Sequence, residues 1–461
     1  MKDFLNWMRV IYNKRFIVPI LTLLIACSIF LFVWIFGVNV LYLDEWFFAS
    51  LVKKFQSGGL DFAFLFSQHN EHRIFFPNLF YLVLLPISHM NSKVIMFVNA
   101  ILVCIEFCCF YLIAKKQFKF SFSEMPAWLL VVPLFVFNFR QWQDLIWAFQ
   151  LAFYMVLIFS ILSLYLLDKL DETSSERWRI FFFFIANLSA IIATFSSAMG
   201  FLVWIAGGVQ LIIGVLNKKY KQIIVYTVVW IIVGLISIMI YNKGLNSSIG
   251  QNLQFAIRNP IVFIHFFFSL ISLISVHSLS IIAFPIGLLL FLISIYVFYN
   301  IYKNNRWSAN KFWIGIYTFS FLFSVLTTIG RCPIAFEYTD RSRYTIFTSL
   351  LVISTFVMFL DCYRVSIARY GVKIFKFFFV LLLILGVGLD AIGIAFGVKQ
   401  KQEREKIRLT ILNYKEEKFM TELKGSCAWC DNNFFSEIIE YTPFLEENHY
   451  NVFTKNVKSN K

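Results

Sequence analysis

Two adjacent acids, Asp44 and Glu45, follow a long apolar run and precede Trp46. A carboxylate held at such an edge can take a proton from a hydroxyl if it is partly desolvated and within hydrogen-bond reach. The bland alternative is a solvated cap at a membrane boundary, the commoner fate of an isolated Asp-Glu pair. That alternative weakens because a second polar cluster, Gln68-His69-Asn70-Glu71-His72-Arg73, returns in the same stretch, flanked by Phe62, Phe64, Phe66, Phe75 and Phe76. The aromatic residues are expected to hold the segment against a membrane surface, with the carboxylates over a lipid headgroup. His69 and His72, with Glu71 between them, could converge on one helix face and bind a metal. The run lacks the i, i+4 His pair of a metalloprotease helix. Hydrogen bonding to a ligand or to loop backbone is therefore the preferred reading. No resident metal or other cofactor is expected, with a divalent cation as the alternative.

Two later clusters supply positive charge: Asn138-Phe139-Arg140-Gln141-Trp142-Gln143-Asp144, and Arg331-Cys332 with Asp340-Arg341-Ser342-Arg343-Tyr344. A guanidinium can grip two phosphate oxygens at once. Snorkelling to headgroups is the alternative, and Asp340 could equally pair with Arg341 or Arg343. Thr194 to Gly200 is rich in small residues, which more often serve helix packing than a ligand groove. Glu106 and Asp390 stand singly inside apolar runs. Such carboxylates suggest ion coupling by default, but single ones are read here as helix-to-helix hydrogen bonders. Cys427 and Cys430 form one C-x-x-C, which suits a structural disulfide outside the cytosol better than zinc.

The elements that must position these residues are membrane helices. Of 461 residues, 59% are hydrophobic and 15% charged, too apolar for one soluble core of this size. Apolar runs near 20 residues recur, as spanning helices require. The fold class is all-α and polytopic, with about eleven transmembrane helices. The first run, Phe16 to about Val38, is too long for a signal h-region and reads as a retained helix. Phe75 to Ser88 and Pro260 to Ser275 read as interfacial or re-entrant helices. A marginal third helix is expected over about Ala127 to Phe137. The last span, about Phe377 to Phe396, closes a transmembrane domain of residues 1–396. Residues 397–461 are a polar tail, expected to be a small outer domain or arm.

Charge orients this path. Lys2, Arg9, Lys14 and Arg15 place the N-terminus in the cytoplasm. The inner segments then carry 20 Lys and Arg, the outer loops 10 and the tail 11. The net charge of +15 thus follows from the positive-inside bias, and nucleic-acid binding is the poor reading. All the chemical clusters above fall on the outer side.

The acidic pair closing the first helix, the long aromatic outer loop, the many helices and the outer C-terminal segment resemble the GT-C superfamily of membrane glycosyltransferases. Asp44-Glu45-Trp46, His69 to Arg73, Arg140 to Trp147 and Ser342-Arg343-Tyr344 look like motifs in bacterial proteins of this type. The overall plan is similar to that of serotype-converting O-antigen glucosyltransferases. The likeness extends through about Met358, and the tail matches nothing in it.

The resemblance implies an inverting transfer of a sugar, glucose foremost, from undecaprenyl phosphate. The acceptor would be a lipid-linked O-antigen or another surface glycan. It implies the periplasmic face of a bacterial inner membrane, and donor synthase and flippase partners. Asp44 would be the general base, with Glu45 its close competitor. Arg331, Arg341 and Arg343 would stabilise the departing lipid phosphate. His69, Asn70, Glu71, His72, Arg73, Arg140, Gln141, Trp142, Asp144 and Tyr344 would bind substrates. The rival expectations are a transporter or flippase, built around mid-membrane polar residues and repeats, an O-antigen polymerase or ligase dependent on a large late outer loop, and a structural or assembly protein.

Overall fold

A computed structural model describes residues 16–123, 125–217, 222–274, 280–334, 342–365, 369–426 and 432–454. Lys2, Arg9, Lys14, Arg15, Lys218, Lys219, Lys221, Asp340, Arg341, Cys427 and Cys430 lie outside the described residues. In chain order the principal helices begin with α1 (Ile17–Phe36), α2 (Trp46–Gln56), α3 (Phe75–Ile87), α4 (Ser92–Phe118), α5 (Val131–Val136) and α6 (Leu151–Lys169). Then come α7 (Glu176–Thr194), α8 (Leu202–Leu216), α9 (Ile223–Asn242), α10 (Ile249–Arg258), α11 (Pro260–Ile271) and α12 (Ser280–Lys303). The last are α13 (Lys311–Arg331), α14 (Thr345–Val365), α15 (Arg369–Leu412), α16 (Phe419–Ser426) and α17 (Asn432–Glu447).

Ten of the described helices are long and apolar enough to cross a membrane: α1, α4, α6 to α9 and α12 to α15, some with a leading 3-10 turn. The pair α10 and α11, bent by 107°, would make an eleventh if it is one span. The chain is therefore an all-α polytopic membrane protein. The membrane-facing surface is visible in α9, where Ile224, Val225, Val228, Ile231, Ile232 and Leu235 are all exposed. The crossing window of α14, by contrast, is buried throughout, as expected for the central helix of a bundle.

The expected third helix is corrected. Ala127 to Val136 forms a 3-10 turn and the single short helix α5, about half the length a span needs. Asn138 stops it by turning its side chain onto other partners. Its Oδ1 accepts from Arg140 N at 2.8 Å, and its Nδ2 donates to Leu134 O and Gly386 O at 3.2 and 3.0 Å. Broken backbone is tolerable there because Val131, Val132, Phe135 and Val136 are packed inside protein. Asp390, one of the two lone membrane carboxylates, accepts from Phe139 N at 2.7 Å and fixes the next turn. It thus bonds helix to loop, close to the role expected of it.

The composition change at Gly397 is not a break in structure. α15 continues through it for 44 residues, roughly 65 Å and about twice the hydrocarbon thickness of a bilayer. Gly397 lies where a Cβ would meet Phe32 and Phe36 of α1 at 3.0 and 3.1 Å, so the two helices cross closely. Beyond it, Ile407, Ile411, Leu423, Ile438 and Leu445 share a second core with Trp46, Phe48, Val52, Tyr81 and Leu85. The tail and the first connecting loop are one layer over the end of the bundle. Gln56 Nε2 donates to Tyr450 Oη at 2.6 Å, and Asn39 and Asn451 bond each other.

The opposite end of the bundle is closed by ion pairs. Lys311 Nζ meets Asp171 at 2.7 Å, Arg306 makes two bonds to Asp361 at 3.0 and 2.8 Å, and Lys116 pairs with Glu172. α13 begins in this cluster and ends at Arg331, roughly 30 Å away. The polar clusters of the connecting loops gather at the end where α13 finishes, and these three ion pairs lie where it begins.

Candidate active site

The acidic pair sits in a 3-10 turn, Leu43–Glu45, between α1 and α2. Leu43 takes a positive φ of 50°, a strained choice for a side chain of this size. Successive residues of a 3-10 turn point about 120° apart, so the two acids go separate ways. Glu45 points inward and is fully buried. Its Oε1 accepts from Ala148 N at 2.7 Å and its Oε2 from Ser92 Oγ at 2.9 Å. Burial, opposed by the Arg404 charge and by those bonds, pushes its carboxyl up to about 7. The geometry gives Glu45 a structural post.

Asp44 turns the other way and keeps 30% of its side-chain surface exposed. Asn70 Nδ2 donates to its Oδ1 at 3.0 Å, and His69 Nε2 lies 3.6 Å from the same oxygen. Burial raises its pKa, but the contacts with His69 and Asn70 and the charge of Arg343 outweigh burial and leave it below the ordinary aspartate value.

His69 to Arg73 is not a helix. It is a hairpin, β1 (Gln68–His69) against β2 (His72–Arg73), with His69 directly opposite His72. Asn70, at φ 53°, makes the turn, a conformation Asn tolerates well. Opposed residues share a face of the pair, so the two imidazoles lie on one face of this hairpin. His69 lies between the rings of Phe47 and Phe149, at centroid distances of 4.8 and 5.0 Å. Burial and the nearby Arg331 charge lower His72 to about 4, so it is neutral near pH 7. Its Nδ1 is buried with no hydrogen-bond partner among the described residues.

The hairpin is anchored by Arg73. Its guanidinium donates to Tyr241 O, Phe66 O and Lys243 O at 2.7, 2.6 and 2.5 Å, and its backbone N–H to Tyr241 Oη at 2.8 Å. Those bonds give Arg73 a positioning role in place of the expected substrate contact. Gln68 and Asn246 exchange bonds, and Glu71 accepts from Ser248 Oγ at 2.5 Å. Asn252 of α10 donates to Gly330 O at 3.3 Å, joining this loop to the end of α13.

In the second cluster, Arg140, Gln141 and Trp142 point into the protein. Arg140 Nε donates to Ile274 O at 3.0 Å, Gln141 Nε2 to Val136 O at 2.6 Å, and Trp142 stacks on Phe396 at 5.7 Å. All three are buried. Asp144 is also fully buried, and neither carboxylate oxygen accepts a hydrogen bond from another described residue. The charges of Arg343 and Arg140 act on it. Gln143 is a contact the sequence reading passed over: its Oε1 accepts from Arg343 N at 3.0 Å and docks the last loop on the second.

In the last cluster, Arg331 Nε donates to Tyr344 Oη at 3.0 Å, and the Arg343 guanidinium lies 5.2 Å from the centre of the Tyr344 ring. Both charges act on His72, and that of Arg343 also acts on Asp44. The first, second and last connecting loops thus assemble Asp44, His69, Asn70, His72, Arg331, Arg343 and Tyr344 into one neighbourhood. Such an arrangement can pair a carboxylate proton acceptor with guanidinium groups that neutralise a developing anion. Among the described residues no three His, Cys, Asp or Glu side chains converge to hold a metal.

The sequence reading also missed Arg404. Its side chain is buried over the Tyr42 ring at 4.3 Å, beside Glu45. Gln400, Arg404, Ile407 and Ile411 fall on one face at helical spacing, and all four are buried. That periodicity was the available signal.

The fold and this site define a multi-pass helical membrane protein with a charged cluster at one end of its helices. Comparison of the chain with protein-family models, with curated proteins and with solved structures finds no match.

Proposed function

We propose that the chain is an inverting glycosyltransferase of the GT-C type. It takes a sugar, glucose foremost, from a polyprenyl phosphate at the outer face of a bacterial inner membrane. The acceptor is an O-antigen or another surface glycan. The observation that carries this reading is Asp44, oriented by Asn70 and His69 and acted on by the Arg343 charge, in a cluster where Arg331 bonds Tyr344 and acts on His72. Asp44 removes the acceptor hydroxyl proton as that oxygen attacks the anomeric carbon. The bond from this carbon to the phosphate oxygen breaks, and the phosphate leaves with the electron pair. Arg331 and Arg343 stabilise the charge it gains, a kind of help whose removal costs about 100- to 1,000-fold in rate. His72, neutral and with a free ring nitrogen, is suited to hold a sugar hydroxyl. In this orientation the N-terminus is cytoplasmic and the tail periplasmic, and a donor synthase and a flippase act upstream. The test is transfer of labelled sugar from polyprenyl-phosphate donors in membranes holding wild type or Asp44→Asn at equal level. Transfer lost in the variant supports the reading; transfer retained removes Asp44 as the base.

A transporter is the second reading. It draws on Glu106, buried within α4, and on the buried carboxylate of Asp144. Proton-coupled uptake that depends on Glu106 would favour it.

A further inference from the structure

The tail following the last span carries a residue with no place in the scheme above. Arg404 of α15 is 1% exposed. Its guanidinium lies 4.3 Å over the Tyr42 ring, donates through Nη1 to Ile146 O, and has no hydrogen-bond partner for Nε or Nη2 among the described residues. Two carboxylates act on its charge, that of Glu45, which is itself wholly buried, and that of Glu403. Tyr42 is held from the same helix, donating to Glu403 Oε1 at 3.2 Å and reaching Gln400 Oε1 at 3.5 Å. Trp147 Nε1 donates to Tyr42 O at 3.1 Å. The far end of the tail reaches the same acid, because Asn451 Nδ2 donates to Ser92 Oγ at 3.3 Å and Ser92 donates to Glu45.

We propose that Arg404 is a positioning residue for Asp44, acting through Glu45 and Tyr42. The outer end of α15 and the tail beyond it are thereby the part that sets the acidic turn. Residues 42 and 45 bracket Asp44 on both sides in a turn that includes the strained Leu43. A strained turn keeps its shape only when its surroundings over-determine it. Arg404 supplies a buried positive charge near Glu45 and a cation contact to the Tyr42 ring. With Arg404 removed, Glu45 loses the positive charge that opposes its burial, and the turn presenting Asp44 relaxes. Misplacement of a reacting group by about 1 Å costs roughly 100-fold in rate. This inference rests on the proposed role of Asp44, but the pairing can be tested without it.

The experiment uses the full chain in nanodiscs, as wild type, Arg404→Met, Arg404→Lys, Glu45→Gln and Arg404→Met with Glu45→Gln. Thermal unfolding is read for all five, and sugar transfer against pH where wild type transfers. Arg404→Met is expected to lower the unfolding temperature, Lys to restore part of it, and the double variant to lie above the sum of the single losses. In transfer, Arg404→Met is expected to lower kcat roughly 100-fold, with KM for the donor held and the acid limb displaced. Additive single losses would overturn the pairing. Paired stability with an unchanged kcat and pH profile would leave Arg404 structural only and overturn its positioning role. If wild type transfers nothing, the glycosyltransferase reading and the positioning role fail together, and the non-additivity still decides the pairing.

Discussion

Asp44 Oδ1 and His69 Nε2 stand 3.6 Å apart, although one belongs to the turn after α1 and the other to a hairpin beyond α2. The contact is an ion pair when the imidazole carries a proton, and it helps hold the Asp44 carboxyl below its ordinary range despite burial. A lowered carboxylate pKa contributes stability above the unfolded value and loses it as pH falls through the folded value. His69→Ala should therefore move the acid limb of the transfer rate to higher pH. Asn70→Ala should do the same to a smaller extent. The pH profile of kcat/KM for the three proteins checks this, and identical limbs would remove His69 from the site's electrostatics.

Glu45 carries the opposite sign. Its carboxyl rises from 4.5 to about 7 on folding, so its protonated form is favoured in the native state. That stabilisation is present below about pH 4.5 and fades as pH climbs to 7, up to about 3 kcal/mol in total. Glu45→Gln should flatten the stability profile over this window, read by thermal unfolding at stepped pH. Glu45→Ala should destabilise at every pH, because Ala148 N and Ser92 Oγ lose their acceptor.

Arg331 and Arg343 should act on rate more than on binding. Arg331→Gln is expected to lower kcat by about 100-fold with a modest change in donor KM. Arg331→Lys should recover only part, since an ammonium lacks the planar fork. Steady-state kinetics on a polyprenyl-phosphate sugar separates the two parameters. A change confined to KM would make these residues ground-state binders.

Arg73 should matter for architecture. Two of its three side-chain bonds to main-chain carbonyls, those to Tyr241 O and Lys243 O, join the hairpin to the end of α9, and the third holds Phe66 O. Arg73→Met should cost about 2 to 4 kcal/mol, lower the unfolding temperature and speed amide exchange across residues 66–73 and 241–246. Exchange that stays slow in both segments would show that the hairpin is held by other contacts.

The sequence by itself determined the membrane class, the span of most helices and the loops where the charged residues collect. Those features follow from local composition, because a bilayer demands some 20 apolar residues at a time and leaves polar ones at the ends. Tertiary structure decided the rest. Asp44 and Glu45 are indistinguishable neighbours in sequence, and only a 3-10 turn wedged between Ser92, Ala148 and Asn70 sends one inward and leaves the other at the surface. Arg140 and Arg73 read as free cations until their backbone partners, Ile274 for one and Tyr241 and Lys243 for the other, come into view. Arg404 lies among the charges of a polar tail, yet it is buried because α15 runs straight past the composition change and packs on the first loop. Composition records what each segment tolerates; which carboxylate meets which guanidinium depends on chain crossings that no local pattern encodes.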